Sequence, residues 1–542
     1  MSVRALAALL IAGAASIAHG DELSGADKLR VVYSNQFAWT KDGLPLVTVR
    51  VAEGRAQVVI ASPGARLLPD GDGGAEVRGG ATWTVRVVNG APAKIRWHVV
   101  VARLKPGDEK LPSTIAAWKE RGFVARTFET GALFGVRGEV LDSRQLLVTV
   151  LPHNDEAGAR SDAAALAAKF SADTSVHPEL VERPRGTVEA TDERGLSVKN
   201  DAILWFSPGP SGLLELDGVD KEGGGREKRR YFGKLYVTVD SGGKLAVVNA
   251  VPEDKLLAGL VPAEMMASSP PEALKAQAVA ARNELLAKIG TRHLTDPYRL
   301  CATQHCQVYA GAGREDPRST AAVTATRGEL LERDAGGLVD AVYSASCGGH
   351  GEDNDRAWGG APDASLRGAL DTDDDTARAL VRFDSIDEAN LADWLAVVGG
   401  DKRPYCARPA GAAASWRWTR AIDLAAVAAR AAVGPLTAVT VLERGVSGRA
   451  VALEIAGDRG KKQIRGELEI RRALGNLKSA LFALDGKRDE SGHLASLTAL
   501  GAGHGHGLGM CQLGAVGLAE AGASYRDILL HYYKAAHLKK LY

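Results

Sequence analysis

The sequence predicts a multidomain α+β protein, with β-rich N-terminal modules followed by a larger mixed domain. Three observations carry this. At 542 residues the chain is longer than one core usually supports. Residues 30–110 and 185–250 hold runs that alternate apolar and polar side chains at the two-residue period of a strand. From residue 261 onward, Ala-rich stretches with helix start signals alternate with short β-branched runs.

The N-terminus comes first in order. Arg4 precedes an apolar run, Ala5 to Ile17, and a small-residue end at Ala18 to Gly20. That is the pattern of a secretory signal peptide over residues 1–20, and the run is shorter than the roughly 20 residues of a membrane span. The expectation is an extracytoplasmic protein, periplasmic or secreted, with no transmembrane anchor after cleavage. Net charge is +1, from 67 basic and 66 acidic residues, so no global field recruits nucleic acid.

Residues 21–110 read as a β-rich module. Trp83, Val85 and Val87 alternate with polar residues, as do Ile95, Trp97 and Val99, and Asn89-Gly90 between them predicts a hairpin turn. Residues 111–184 read as a small α/β module: a helix over 115–123, a strand over 146–151 and a helix over 161–170. The pattern resembles SPOR-like modules, which bind glycan strands of the cell wall. Residues 185–250 return to strands at 188–190, 202–206, 213–216 and 235–239, broken by a Gly-rich basic stretch, 221–230, that predicts a solvated loop.

The stretch Val261-Pro-Ala-Glu-Met-Met-Ala-Ser-Ser-Pro-Pro-Glu-Ala-Leu-Lys-Ala-Gln-Ala-Val-Ala-Ala-Arg282 carries the chemistry. Ser269 as N-cap, Pro270 at the first helical position and Glu272 three residues on predict a capped helix over 270–289. Lys275 and Arg282 are seven residues apart and share a helix face, and Glu264 is expected in the loop before it. Spacing alone also fits an exposed acid and a solvated cationic face.

Beyond it, a helix is expected over 318–327 and a strand over 338–343 leading into Ser344-Ala-Ser-Cys-Gly-Gly-His350. Helices are expected at 391–398 and 422–432, and strands at 436–443 and 450–455. The chain closes with Gly503-His-Gly-His-Gly-Leu-Gly-Met-Cys-Gln-Leu-Gly-Ala515, whose glycines would let backbone approach a ligand.

These segments resemble the SpoIID/LytB family. The resemblance rests on the 261–282 stretch, on Tyr231-Phe-Gly-Lys-Leu and Leu245 to Leu260 upstream of it, on Gln307-Val-Tyr309, on the Cys-Gly-Gly turn and on the closing motif, where Cys511 stands in place of the usual Ser. It extends over residues 185–542 with a diverged middle, and implies a SpoIID-like catalytic domain with a central cleft.

The resemblance implies a lytic transglycosylase that cleaves denuded peptidoglycan strands between N-acetylmuramic acid and N-acetylglucosamine. Glu264 would be the single catalytic residue, and Lys275 and Arg282 would bind substrate, with Gln307, Tyr309 and His506 as further cleft residues. Ordinary glycosidases use two carboxyl groups. Here the sugar's own C6 hydroxyl attacks to form a 1,6-anhydro ring, so one protonated Glu suffices. No cofactor is required for that chemistry. The LytB side of the family implies a different reading, a non-catalytic glycan-binding enhancer whose partner is an N-acetylmuramoyl-L-alanine amidase.

Five cysteines remain: Cys301, Cys306, Cys347, Cys406 and Cys511. Outside the cytoplasm disulfides are the default, yet an odd count leaves one thiol over. Cys301, His305, Cys306, Cys347 and His350 also supply enough soft ligands for a tetrahedral structural zinc site, which some SpoIID-like proteins have in this region. Zinc and disulfide both stay open on the sequence.

Overall fold

The computed structural model describes residues 32–33, 38–69, 75–136, 139–221, 224–303, 305–373, 375, 379–397 and 403–542. The signal-peptide reading of residues 1–20 lies outside them. The fold is α+β with several sheets. No helix among the described residues is long and apolar enough to cross a membrane.

Two sheets form the centre. An eight-stranded sheet places Pro45–Arg55 beside Leu245–Pro252, followed by Lys234–Val239, Ile203–Ser207 and Arg66–Leu68. A six-stranded sheet runs Ser197–Asp201, Arg185–Asp192, Thr82–Ala91, Gln57–Ala61, Leu213–Asp220 and Arg226–Phe232. Both sheets therefore mix strands from 45–91 with strands from 185–252. They bury one core with the helix Pro271–Lys288: Val47, Ile60, Trp83 and Val85 pack in the same cluster as Val237, Leu274 and Val279. A division at residues 110 and 184 cuts across this shared core.

The 94–182 segment is inserted between the strands Thr82–Ala91 and Arg185–Asp192, which pair directly with each other. Its own four-stranded sheet runs Ser175–Glu182, Lys94–Leu104, Gln145–His153 and Arg126–Thr130, with helices Leu111–Glu120 and Glu156–Phe170. This overturns the Asn89-Gly90 hairpin. Thr82–Ala91 and Lys94–Leu104 lie in different sheets, and Asn89 and Gly90 are strand residues, Asn89 with φ 54°.

Two further expectations fail for visible reasons. Residues 226–232 form an edge strand rather than a loop, because its charges find partners: Lys228 reaches Glu215 at 3.5 Å and Arg226 reaches Asp220 at 3.6 Å. Residues 338–342 are not a strand, although Tyr343–Ser344 is. Side chains take the carbonyls a neighbouring strand would bond. Asn283 donates to Val339 O at 3.0 Å, and the Tyr533 hydroxyl lies 3.1 and 2.9 Å from Ala341 O and Val342 O.

A second core builds the later part of the chain. The sheet Arg417–Ala421, Leu494–Ala502, Phe482–Arg488 and the sheet Leu436–Arg444, Ala450–Gly457, Gly460–Arg465 enclose Val427, Leu453, Ile455 and Phe482. This body enters and leaves the rest through one short parallel pair, with Tyr343 opposite Met510 and Ser344 opposite Cys511.

Candidate functional site

Glu264 is the last residue of the helix Glu253–Glu264, not a loop residue. Acidic Glu253 and Asp254 in the first turn suit the positive end of that helix. Glu264 is half-buried, and Met265 after it is extended. Two later segments fix it. The Val308 amide donates to Glu264 Oε1 at 3.1 Å, and Gln512 Nε2 donates to Glu264 O at 3.0 Å and to Gln277 Oε1 at 3.1 Å. The 261–282 stretch, the Gln-Val-Tyr element and the closing motif thus converge on Glu264, with Val308 at its carboxyl and Gln512 at its backbone carbonyl.

The Pro271–Lys288 helix forms, but without the expected capping box. Pro270 is the N-cap with no side-chain bond, and Glu272 instead binds Lys275 at 2.6 Å and the Tyr525 amide at 2.8 Å. Lys275 is half-exposed and lies over the Tyr525 ring, 5.7 Å from its centroid.

Arg282 is corrected as a substrate-binding residue. Its side chain and that of Glu253 are both fully enclosed and paired at 2.5 Å. The guanidinium also donates to Thr326 O, Glu329 O and Val323 O at 2.8, 3.3 and 3.4 Å. The helix sinks into the core between Lys275 and Arg282, so one face carries a surface cation and an interior one.

Gln307 and Tyr309 are interior too. Gln307 donates to Ala281 O at 3.1 Å and to Glu284 Oε2 at 2.8 Å, and the Tyr309 hydroxyl donates to Asn249 Oδ1 at 3.0 Å. They seat the loop that presents Val308. Glu284, which sequence reading missed, is bonded to Lys288, and Lys288 donates to Cys306 O at 2.8 Å. Burial, with Asp340 and Glu264 nearby, pushes the Glu284 carboxyl up to about 7 against the pull of Lys288. Gln307 Oε1 is buried with no hydrogen-bond partner among the described residues, and the Tyr343 hydroxyl, within electrostatic reach of Glu264, and Gln277 Nε2 face each other without a well-aligned hydrogen bond.

His506 is half-buried against Trp358, ring centroids 5.0 Å apart, and its Nδ1 accepts from the Leu508 amide at 3.0 Å. Burial and Arg449 push its pKa down to about 3, so the ring is neutral. The closing glycines serve packing rather than a ligand. A Cβ on Gly507 would meet the Arg449 guanidinium at 2.3 Å, and one on Gly509 would meet Val342 O at 2.0 Å, both at positive φ.

All five cysteines are free thiols and buried. The expected five-residue zinc set is split by the structure. Cys301, His305 and Cys306 gather with His293, their ligand atoms all within 4.8 Å of one another. His293 Nε2 is 3.2 Å from Cys306 Sγ, and His305 Nδ1 is 3.6 and 3.7 Å from the two sulfurs. Two imidazoles and two thiols are the donor set of a tetrahedral zinc, but Cys301 Sγ and Cys306 Sγ stand 2.8 Å apart, so they would have to separate to about 3.8 Å to share one ion; His293 Nδ1 bonds Asp296 at 2.9 Å, as a metal-bound imidazole requires of its second nitrogen. The sheet fixes this loop, because Leu300 and Cys301 pair in parallel with Val49 and Arg50.

Cys347 belongs to a separate group with Asp371, Cys406 and Cys511. His350 belongs to neither, because its ring nitrogens face Gly351 O at 2.7 Å and Asp384 O at 3.0 Å. Cavities of about 290 and 560 Å³ open where the inserted 94–182 segment meets residues 287–340, and Glu264 lines neither.

Residues 241–332 fit the family model of SpoIID, Stage II sporulation protein, and residues 352–509 fit that of a domain of unknown function (DUF8618). An uncharacterized protein of Brachyspira hyodysenteriae is 27% identical over 316 residues, covering 57% of this chain and 72% of that protein. The amidase enhancer of Bacillus subtilis is 30% identical over 297 residues, 52% of this chain and 40% of that protein, so the chain spans less than half of the enhancer's length. Stage II sporulation protein D of Bacillus amyloliquefaciens is 27% identical over 309 residues, 54% of this chain and 76% of that protein. The SpoIID match over residues 241–332 and these relatives support a SpoIID/LytB assignment for that part of the chain.

Proposed function

We propose that this chain works on the cell wall outside the cytoplasm, as a lytic transglycosylase on denuded peptidoglycan strands. The observation that supports it most is the convergence on Glu264 of three segments distant in sequence, through Val308 and Gln512. Glu264 closes the helix Glu253–Glu264, with the Val308 amide on its carboxyl and buried Glu284 within electrostatic reach.

In this reading Glu264 protonates the glycosidic oxygen as the bond to the muramic acid C1 breaks. The resulting carboxylate takes the proton of the C6 hydroxyl as that oxygen bonds to C1, and the 1,6-anhydro ring forms without water. Val308 N–H holds the carboxyl in one orientation through both steps. The nearby polar atoms of Gln277, Gln307 and Tyr343 suit a hydroxyl-rich ligand. Lys275, the surface cation of the helix, would engage the strand.

Zinc, when bound by His293, Cys301, His305 and Cys306, would supply rigidity rather than electrophilic chemistry. The loop it would hold continues through Cys306 and Gln307 to Val308.

The amidase-enhancer similarity favours a second reading, in which the same surface grips glycan and an amidase partner does the cleavage. Purified protein incubated alone with denuded strands, and together with an amidase on strands that keep their stem peptides, separates the two. Anhydro-ended products from the denuded strands support the transglycosylase; faster peptide release by the amidase, with no cleavage of denuded strands by the protein alone, supports the enhancer.

A further inference from the structure

The root of the 352–509 segment is closed by a second sulfur cluster. Cys347 precedes that segment, Asp371 and Cys406 lie within it, and Cys511 follows it. The four are buried, between 0 and 2% exposed, and their ligand atoms lie within 4.8 Å of one another. Cys347 Sγ is 3.6 Å from Cys406 Sγ and 3.4 Å from Asp371 Oδ2. Ligands about 2.3 Å from a tetrahedral zinc stand about 3.8 Å apart, so these separations are close to those of a mononuclear site.

We propose that Cys347, Asp371, Cys406 and Cys511 bind one zinc ion, which staples the 352–509 segment onto the SpoIID fold.

The surroundings are built as for metal ligands. Cys511 Sγ accepts from the Cys347 and Gly514 amides at 3.1 and 3.3 Å, and Cys347 Sγ accepts from the Gly349 amide at 3.4 Å. Asp371 Oδ1 accepts from the Tyr532 hydroxyl at 2.7 Å and faces His531 Nε2 at 3.3 Å, while Oδ2 accepts from the Cys406 amide at 3.1 Å. Such outer bonds fix ligand orientation.

Charge also balances. Three thiolates and a carboxylate around Zn²⁺ leave two net negative charges, a costly burial unless compensated. Two guanidiniums stand beside the cluster: Arg449 donates to Cys347 O at 2.8 Å, and Arg417 donates to Gly348 O at 3.3 Å. A cavity of about 40 Å³ lined by Cys347, Asp371, His531 and Tyr532 adjoins the site. Binding releases three thiol protons to solvent.

Packing alone would not place a buried carboxylate among three sulfurs. A disulfide would use two of the cysteines and strand the third. The zinc reading uses all four groups and explains why they come from four separate points of the chain. It does not depend on whether Glu264 is catalytic.

The test is zinc content of the full chain by elemental mass spectrometry, with a non-reducing peptide map of the wild type. A Cys301→Ser/Cys306→Ser chain, which lacks the first cluster's thiols, is expected to hold one zinc, and adding Cys406→Ser is expected to remove it. The map is expected to show Cys347, Cys406 and Cys511 as thiols. Absence of zinc from the folded double variant overturns the proposal, as does a disulfide among the three in the wild type. Should the double variant fail to fold, Cys406→Ser against wild type gives the reading: loss of one zinc supports the site, and unchanged zinc overturns it.

Discussion

The Val308 amide donates to Glu264 Oε1 across 44 residues of sequence, at 3.1 Å. Val308 is two residues from Cys306, one of the first cluster's sulfurs, and follows Gln307, which is anchored on Glu284. The orientation of the proposed acid is therefore coupled to the loop that gathers His293, Cys301, His305 and Cys306.

That coupling predicts a positioning effect. Asp296 bonds His293 Nδ1, so Asp296→Ala should weaken zinc affinity about 10–100-fold. Melting temperature should fall with zinc removal, and cleavage should slow without ceasing, because the metal would not touch the reacting bond. Zinc competition with a chromogenic chelator and thermal melts check this. Unchanged affinity would remove His293 from the ligand set.

Arg282→Ala should act on stability. It leaves Glu253 as an uncompensated buried charge, a change that typically costs about 3–5 kcal/mol. Denaturant unfolding should show that loss, whereas a residue that only grips glycan would leave the midpoint in place and raise KM.

Lys275→Ala should do the reverse. Its pair with Glu272 is half-exposed, so stability should change by less than about 1 kcal/mol. Glycan affinity should fall. Binding to insoluble denuded strands at low and high salt measures this, and equal binding by variant and wild type would count against a substrate role.

Glu284 sets a pH dependence. Its folded pKa is about 7, above the ordinary 4.5. Between those values the folded state holds more protons than the unfolded one, so stability falls as pH rises. The contribution is fully present below about pH 4.5 and is lost as pH rises through about 7. Glu284→Gln should flatten that part of a stability-versus-pH curve. An unchanged slope would assign it to other groups.

Much of the strand content was legible locally, because parts of Leu213–Asp220, Lys234–Val239 and Ala450–Gly457 alternate or run apolar. Connectivity was not. Asn89-Gly90 has hairpin chemistry, yet Thr82–Ala91 finds its partners in Gln57–Ala61 and Arg185–Asp192, a choice made by the shared core. At the site, the stretch around Glu264 stood out, but its neighbours Val308, Glu284 and Gln512 are brought in only by folding. Arg282 looked like Lys275 because helix periodicity gives a direction and not a depth. The five-residue zinc set was split for a similar reason: His293 lies eight residues before Cys301, outside any short motif, while folding takes Cys347 to Cys406 and Cys511 and leaves His350 with neither cluster.

The most direct test of the central claim is mass spectrometry of denuded glycan strands incubated with the purified protein, beside Glu264→Gln. The account predicts 1,6-anhydro-muramyl ends with wild type and none with the variant, while both bind the strands. Cleavage by Glu264→Gln at the wild-type rate would contradict it.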